Sequence, residues 1–193
     1  MKAHEPTHKR DPAATRQQLL DVTAGIILEK GLAGLTLDGV ARESGISKGG
    51  LLHHFPSKQH LLDALIIDLH QQFRNKWQEQ SDADPEEAGK RTRAYLKVAT
   101  RKRDEPSAKL CNVIAVEDRG NRTMRDLWRG FLSSLLNPEN SGGADPVMLA
   151  IVQLATDGLW LAEIEGVLDG FPELRRKIVE RLEEMTRTPP AVQ

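Results

Sequence analysis

Residues 36–58 read TLDGVARESGISKGGLLHHFPSK, and this pattern predicts two short helices. The first helix has three apolar residues at the i, i+3, i+4 spacing of one buried face: Leu37, Val40 and Ala41. Thr36 can cap its start, because a threonine hydroxyl accepts a free backbone N–H of the first turn. Gly45 can end it, since helices commonly close on a residue with positive φ. The stretch therefore opens with a capped, amphipathic helix.

The second helix is predicted over residues 48–54, with Ser47 as its N-cap. Leu51 and Phe55 are four residues apart and form its inward face. Pro56 stops the helix, because proline does not fit a helix interior. Two short helices joined by a tight turn that contains glycine form a helix-turn-helix.

The outer face of the second helix is small and partly basic, and consists of Lys48, Gly49, Leu52 and His53. A helix N-terminus carries unpaired N–H groups and partial positive charge. Small residues at that end let the backbone come close to a phosphate. This face is therefore predicted to contact DNA.

The order of residues around this unit resembles the N-terminal domain of TetR-family transcriptional regulators over about residues 12–65. The resemblance rests on Gly31, Thr36, Val40, Ala41, Gly45, Ile46, Ser47, Gly49, Leu51, His54, Phe55, Ser57, Lys58, Leu61 and Leu62. The chain departs from the family at Leu52, where the family usually carries a tyrosine that contacts DNA.

The resemblance implies two kinds of DNA contact. Residues at positions that touch the phosphate backbone are Thr36, Ser47, Gly50, His54 and Lys58. Lys48 and His53 match positions that face base edges, and Gly49 and Leu52 complete the contact surface. Lys48 can donate to guanine O6 and N7. The alternative is that Lys48 is a solvated surface lysine and that His54 serves mainly in packing and phosphate contact.

Composition predicts an all-α protein of about nine helices. The chain has 193 residues, of which 39 % are hydrophobic and only 4 % aromatic, and it lacks alternating β-type runs. Its formal net charge is −1, yet residues 1–60 carry eight Lys and Arg against six Asp and Glu. This uneven distribution fits a basic DNA-contacting end on an acidic body.

We expect three segments: a flexible basic arm over residues 1–10, a helix-turn-helix DNA-binding domain over 11–57, and an effector-binding and dimerisation domain over 58–193. The arm either adds DNA contacts or is a solvated tail. A linking helix is predicted over residues 58–80. Further helices are predicted over 12–30, 85–103, 107–118, 122–136, 146–168 and 172–187.

The last two helices are predicted to form a homodimer interface. The helix over residues 146–168 is apolar around much of its circumference, and the one over 172–187 has a narrow apolar seam flanked by charges. The resemblance also implies a four-helix interface between two subunits. Its predicted residues are Leu161, Ile164, Leu168, Leu174, Ile178, Leu182 and Met185.

A small organic effector is expected to bind in the C-terminal domain. Asp157 lies in the most apolar helix, where an unpaired buried carboxylate would be costly. The candidate pocket residues are Cys111, Asn112, Trp128, Asp157, Trp160 and Glu163. The alternative is that Asp157 faces a loop or a helix end and that the tryptophans belong to the core.

The sequence thus predicts a cytoplasmic, homodimeric DNA-binding regulator, a repressor that a small effector releases from double-stranded operator DNA. A single cysteine fits a reducing compartment, and no stretch suggests a signal peptide or membrane partner. No catalytic, cofactor or metal motif is present, so we expect neither an enzyme nor a cofactor or metal site. The alternative function is a ligand-binding or interaction protein whose head has lost specific DNA recognition.

Overall fold

The structure, a computed structural model, describes residues 11–101 and 105–187, so the arm predicted over residues 1–10 lies outside it. In the described part the fold is all-α, as predicted, and contains no strand. The α-helices are α1 (Pro12–Lys30), α2 (Leu37–Ser44), α3 (Lys48–His54), α4 (Lys58–Asp82), α5 (Lys90–Ala99), α6 (Pro106–Glu117), α7 (Arg122–Leu135), α8 (Pro146–Ile164) and α9 (Pro172–Met185). Two 3₁₀ helices, η1 (Leu32–Gly34) and η2 (Pro138–Asn140), complete it.

The described residues form two compact units. The first unit contains residues 11–66 and 109–119, and the second contains 67–101, 105–108 and 120–187. Helices α4 and α6 each contribute residues to both units.

The first unit has a core formed by α1 and the two helices predicted over residues 36–54. Its fully or nearly fully buried side chains include Leu19, Leu20, Ile26, Ile27, Val40, Leu51 and Phe55. The Gln18 side-chain amide donates to the carbonyl oxygen of Ser44 at 2.9 Å, which satisfies one free carbonyl at the end of α2. The Arg16 guanidinium lies over the Phe55 ring at 5.3 Å. Helix α1 therefore holds both short helices from behind.

The second unit has two apolar clusters. One joins α5, α8 and α9 through Leu96, Val152 and Leu182, and the other surrounds Phe131 of α7. By length and composition, α8 is the one helix of the described segments that could cross a membrane. Its buried side chains include Leu149, Val152 and Leu159, so one face of α8 packs in the protein interior.

Leu182, Ile178 and Met185, which are predicted to lie in a subunit interface, pack against other helices of their own chain. Their part in a subunit interface stays a prediction. Leu182 is 6 % exposed and packs in the cluster of the same chain with Leu96 and Val152, and Ile178 and Met185 pack against this cluster. The seam of α9 is narrow because it fits α5 and α8 of its own chain.

The bounds of two predicted helices also change. Helix α5 begins at Lys90 rather than at 85, because the Arg93 guanidinium binds the carbonyl oxygens of Glu86 and Ala88, both at 2.7 Å. Those carbonyls are thereby held in a turn. Helix α8 ends at Ile164 rather than at 168, so the predicted interface residue Leu168 lies in the turn that follows it.

Candidate nucleic-acid interface and effector site

Both predicted caps of the helix-turn-helix are present. The Thr36 hydroxyl oxygen accepts the Gly39 N–H at 3.0 Å, and the Ser47 hydroxyl oxygen accepts the Gly50 N–H at 3.1 Å. Each hydroxyl uses a lone pair for the cap, so its own proton remains able to donate to a phosphate oxygen. Both residues are exposed.

Helix α3 has an inward and an outward face. Leu51 and Phe55 are almost completely buried, whereas Leu52 is 37 % exposed. Lys48, Gly49 and His53 are also exposed, and Gly50 and His54 are half-buried. The helix thus presents the predicted base-reading side chains to solvent.

Two lysines of the predicted interface have partners within the first unit. Lys48 Nζ lies 2.8 Å from Asp38 Oδ1, across the two helices of the helix-turn-helix. Lys58 Nζ donates to the Leu32 carbonyl oxygen at 3.2 Å. Neither contact could be predicted from the sequence. Each joins residues ten or more positions apart, and such a pair leaves no local sequence pattern.

Glu117, at the end of α6, was also missed. Its carboxylate accepts the backbone N–H of Leu32 at 2.7 Å. The Leu32 peptide groups are therefore held by Glu117 on the N–H side and by Lys58 on the carbonyl side. Both contacts fix the turn that precedes α2.

The six predicted pocket residues do not all belong to one unit. Cys111 and Asn112 are in the first unit, and Trp128, Asp157, Trp160 and Glu163 are in the second. Burial raises the pKa of the Cys111 thiol to about 11, so it stays protonated at neutral pH. A cleft of about 200 Å³ in the second unit is lined by other residues, among them Lys97 and Arg187.

Asp157 has a partner within the chain, the hydroxyl of Tyr95, which donates to its carboxylate. Burial raises the pKa of Asp157, and the hydrogen bond from Tyr95 opposes this shift. Burial and the adjacent carboxylate together raise the pKa of Tyr95, so its hydroxyl remains a donor. Asp157 is expected to need a polar partner, and the hydroxyl of Tyr95 on α5 is that partner.

Glu163, a predicted pocket residue, has a charged partner within the chain. It is 8 % exposed, and its carboxylate accepts Arg175 Nε at 2.5 Å. Arg175 also donates to the Thr100 carbonyl oxygen at 2.8 Å. The Glu163 charge is thus compensated within the chain and does not require a ligand.

Trp128 belongs to an aromatic cluster centred on Phe131. Ring centroids lie 4.7 to 6.1 Å apart within it, and its members are His70, Phe73, Trp77, Tyr95, Trp128 and Phe131. His70 is 8 % exposed, and its Nε2 has no hydrogen-bond partner among the residues that the structure describes. Burial, followed by the charge of Arg74, lowers the pKa of His70. The cluster therefore holds a neutral imidazole.

Two family models match this chain. The model of the bacterial regulatory proteins of the tetR family matches residues 19–65, and that of the tetracyclin repressor-like C-terminal domain matches residues 89–187. The chain belongs to the TetR family. The second match alone covers more than half of the 193 residues, and the first contains the whole helix-turn-helix.

Curated relatives of this TetR-family chain are bacterial regulators. The chain is 33 % identical over 64 residues to the HTH-type transcriptional repressor KstR2 of Mycolicibacterium smegmatis. It is 38 % identical over 60 residues to the HTH-type transcriptional regulator BetI of Klebsiella pneumoniae. These matches span about a third of the chain and 31 % of each relative. These matches support the assignment of the chain as a transcriptional regulator.

Solved structures share the fold over nearly the whole TetR-family chain. The multidrug binding protein EbrR, complexed with imidazole, has a TM-score of 0.64 at 19 % identity and covers 91 % of this chain and 97 % of its own. A TetR-family member from Streptomyces coelicolor has a TM-score of 0.66 at 19 % identity, with 89 % and 97 % covered. At this identity the likeness concerns the fold.

Proposed function

We propose that this protein is a cytoplasmic transcriptional repressor that binds double-stranded operator DNA as a homodimer and is released by a small organic effector. The observation that carries the proposal is the outward face of α3, where Lys48 at the capped start of the helix and His53 in its last turn are both exposed. The name of the relative KstR2 describes a repressor and supports the direction of regulation.

Each head would place α3 in the major groove. Lys48 would donate to guanine O6 and N7, and His53 would face the neighbouring base edges. The hydroxyls of Thr36 and Ser47, together with Lys58, would bind phosphates and fix the register. Lys58 already donates to the Leu32 carbonyl, which keeps its ammonium close to the head surface.

A stripe of exposed apolar residues on α8 supports the homodimer. Val147, Ile151, Leu154 and Leu161 follow helical spacing and are 46 to 67 % exposed. Leu174 of α9 is 50 % exposed. Apolar stripes of this kind mark association surfaces. Leu161 and Leu174 are the most exposed of the predicted interface residues and fit such a surface best.

The two heads of such a dimer would bind half-sites about one DNA turn, roughly 34–36 Å, apart. An effector that binds one separation of the heads better than the other would shift the protein toward that separation. The coupling is reciprocal, so operator DNA would weaken effector binding to the same extent.

The effector site proposed here is the aromatic cluster around Phe131 and the adjoining Tyr95–Asp157 pair. Aromatic faces favour a flat organic molecule, and the unpartnered Nε2 of His70 offers it a hydrogen bond. EbrR, which shares the fold, is described as a multidrug binding protein, which supports an organic effector.

A second candidate function is a ligand-binding protein whose head no longer reads DNA. Leu52 favours it, since an exposed leucine stands where the family usually has a DNA-contacting tyrosine. The two functions are separated by a reporter gene placed behind the DNA upstream of this protein's own gene. The proposed repressor lowers reporter expression, and Lys48→Ala restores it. Unchanged expression with the wild-type protein favours the second function.

A further inference from the structure

Asp38 and Lys48 form an ion pair on the outer surface of the helix-turn-helix. Asp38 lies in the first turn of α2, and Lys48 is the first residue of α3. Their side chains are 73 % and 58 % exposed, and 2.8 Å separates Oδ1 from Nζ. The side chain proposed to read bases is therefore paired with a carboxylate in the free protein.

Such an exposed pair is weak, so DNA can open it at little cost. While it is closed, however, the carboxylate cancels the attraction of Lys48 for phosphates. Non-specific binding depends almost entirely on the attraction of lysines and arginines for phosphates, to which Lys48 contributes. In the operator, guanine O6 and N7 offer Lys48 two acceptors of defined geometry in place of the carboxylate.

We propose that Asp38 is a specificity-determining residue of the DNA-binding head, and this proposal rests on the proposed function. Asp38 suppresses binding to arbitrary DNA because it repels phosphates and neutralises Lys48. In the operator complex it remains beside Lys48 and restricts the directions in which the ammonium can point. It therefore lowers affinity for non-operator DNA more than affinity for operator DNA.

Asp38→Asn tests this role because it removes the charge and keeps the shape. Glu43→Gln is the matched control: Glu43 lies on the same helix, is exposed, and has no ion pair among the described residues. Both variants change the net charge by the same amount. Fluorescence anisotropy would measure their binding to a duplex selected by the wild-type protein from a random pool and to a scrambled duplex.

Asp38→Asn is expected to raise affinity for the scrambled duplex about 3- to 10-fold more than Glu43→Gln does, with a salt dependence steeper by about one ion. Its effect on the selected duplex is expected to be smaller, so the ratio of the two affinities falls. In a Lys48→Ala background, Asp38→Asn should act like Glu43→Gln. Circular dichroism would verify that all variants are folded.

Equal effects of Asp38→Asn and Glu43→Gln on both duplexes would overturn the specificity role of Asp38 and leave the regulator intact. The same holds if Asp38→Asn keeps its full effect without Lys48. If the wild-type protein selects no sequence from the pool, the proposed function itself fails, and this inference fails with it.

Discussion

The Glu117 carboxylate accepts the backbone N–H of Leu32 at 2.7 Å, although the two residues are 85 positions apart in sequence. Its oxygens also lie 3.0 and 3.1 Å from the place where a Cβ on Gly31 would be. Gly31 has a φ of 68°, so a side chain there would meet both backbone strain and this carboxylate. The end of α6 is thus fitted closely to the turn before the helix-turn-helix.

Glu117→Ala is expected to lower the free energy of unfolding by about 1–2 kcal/mol, because a backbone N–H loses a charged acceptor. Glu117→Gln should cost less, since its amide oxygen can still accept. Urea unfolding followed by circular dichroism measures the change. Glu43→Ala is the control, and an equal effect of Glu43→Ala and Glu117→Ala would show that the contact does not stabilise the head.

Arg93 is completely buried, and all five of its N–H donors are used. Its guanidinium binds the two Asp84 carboxylate oxygens at 2.8 and 3.0 Å, two carbonyl oxygens and the Thr186 hydroxyl. Arg93→Met is expected to cost about 3–5 kcal/mol, since it leaves Asp84 without its partner. Arg93→Lys should recover little, because an ammonium lacks the planar fork.

Urea unfolding of the Arg93 variants measures this cost, with Arg181→Met as the surface control. Arg181 is exposed and pairs only at the surface, with Glu184 at 2.8 Å. A loss for Arg93→Met as small as that for Arg181→Met would contradict the structural role of the buried network.

The free energy of unfolding is expected to fall in mild acid because of His70. Its pKa is lowered from 6.5 by burial and by Arg74, so the folded state binds a proton less readily than the unfolded state does. Stability is therefore fully present above about pH 6.5 and declines as the pH falls from there toward the folded pKa. Thermal unfolding at pH 7.5 and 5.5 measures the decline.

His70→Phe should reduce this decline, because the aromatic ring stays and the titrating group is lost. His60→Gln is the control, since His60 is exposed and bonds the Ser57 hydroxyl at the surface. The explanation fails if His70→Phe unfolds with the same pH dependence as the wild-type protein.

Leu154→Glu is expected to dissociate the proposed homodimer. Leu154 is 64 % exposed in the middle of the apolar stripe of α8, and a charge there would have to be desolvated in the interface. Ile67→Glu is the control, because Ile67 is 51 % exposed and lies on a different helix, α4. Sedimentation velocity should give a monomer for the first variant and a dimer for the second. A dimer for both would place the interface elsewhere.

Lys48 and Lys58 are expected to have different roles on DNA. Lys48→Ala should relax sequence preference, with a loss of about 1–3 kcal/mol of discrimination at one base pair. Lys58→Ala should weaken binding to all sequences and reduce the salt dependence by about one ion. Competition binding with single-base variants of the selected duplex measures both. Equal effects of the two substitutions would contradict this division.

The helix-turn-helix could be predicted because its determinants are local. Thr36 and Ser47 each cap a helix through a residue three positions away, and Pro56 stops a helix within its own segment. The apolar seam of α9 is more ambiguous. An apolar stripe shows that a face is buried, but it does not show whether the partner is the same chain or a second copy. Leu182 packs within its own chain.

The contacts that define the candidate sites join distant residues, and the sequence contains no sign of their pairing. Tyr95 and Asp157 are 62 positions apart, and Lys48 and Asp38 lie on different helices. Asp157 could be identified as a residue that needed a partner, because an unpaired carboxylate in an apolar helix is costly. The identity of that partner depends on how α5 and α8 pack.

The central claim is that α3 reads sequence in double-stranded DNA. Fluorescence anisotropy of the purified protein, with DNA from upstream of its own gene and a scrambled duplex of the same composition, across a salt series, tests it most directly. We expect tight, salt-sensitive binding to the upstream DNA and binding to the scrambled duplex that is at least about 1,000-fold weaker. Equal, weak binding to both duplexes would contradict it.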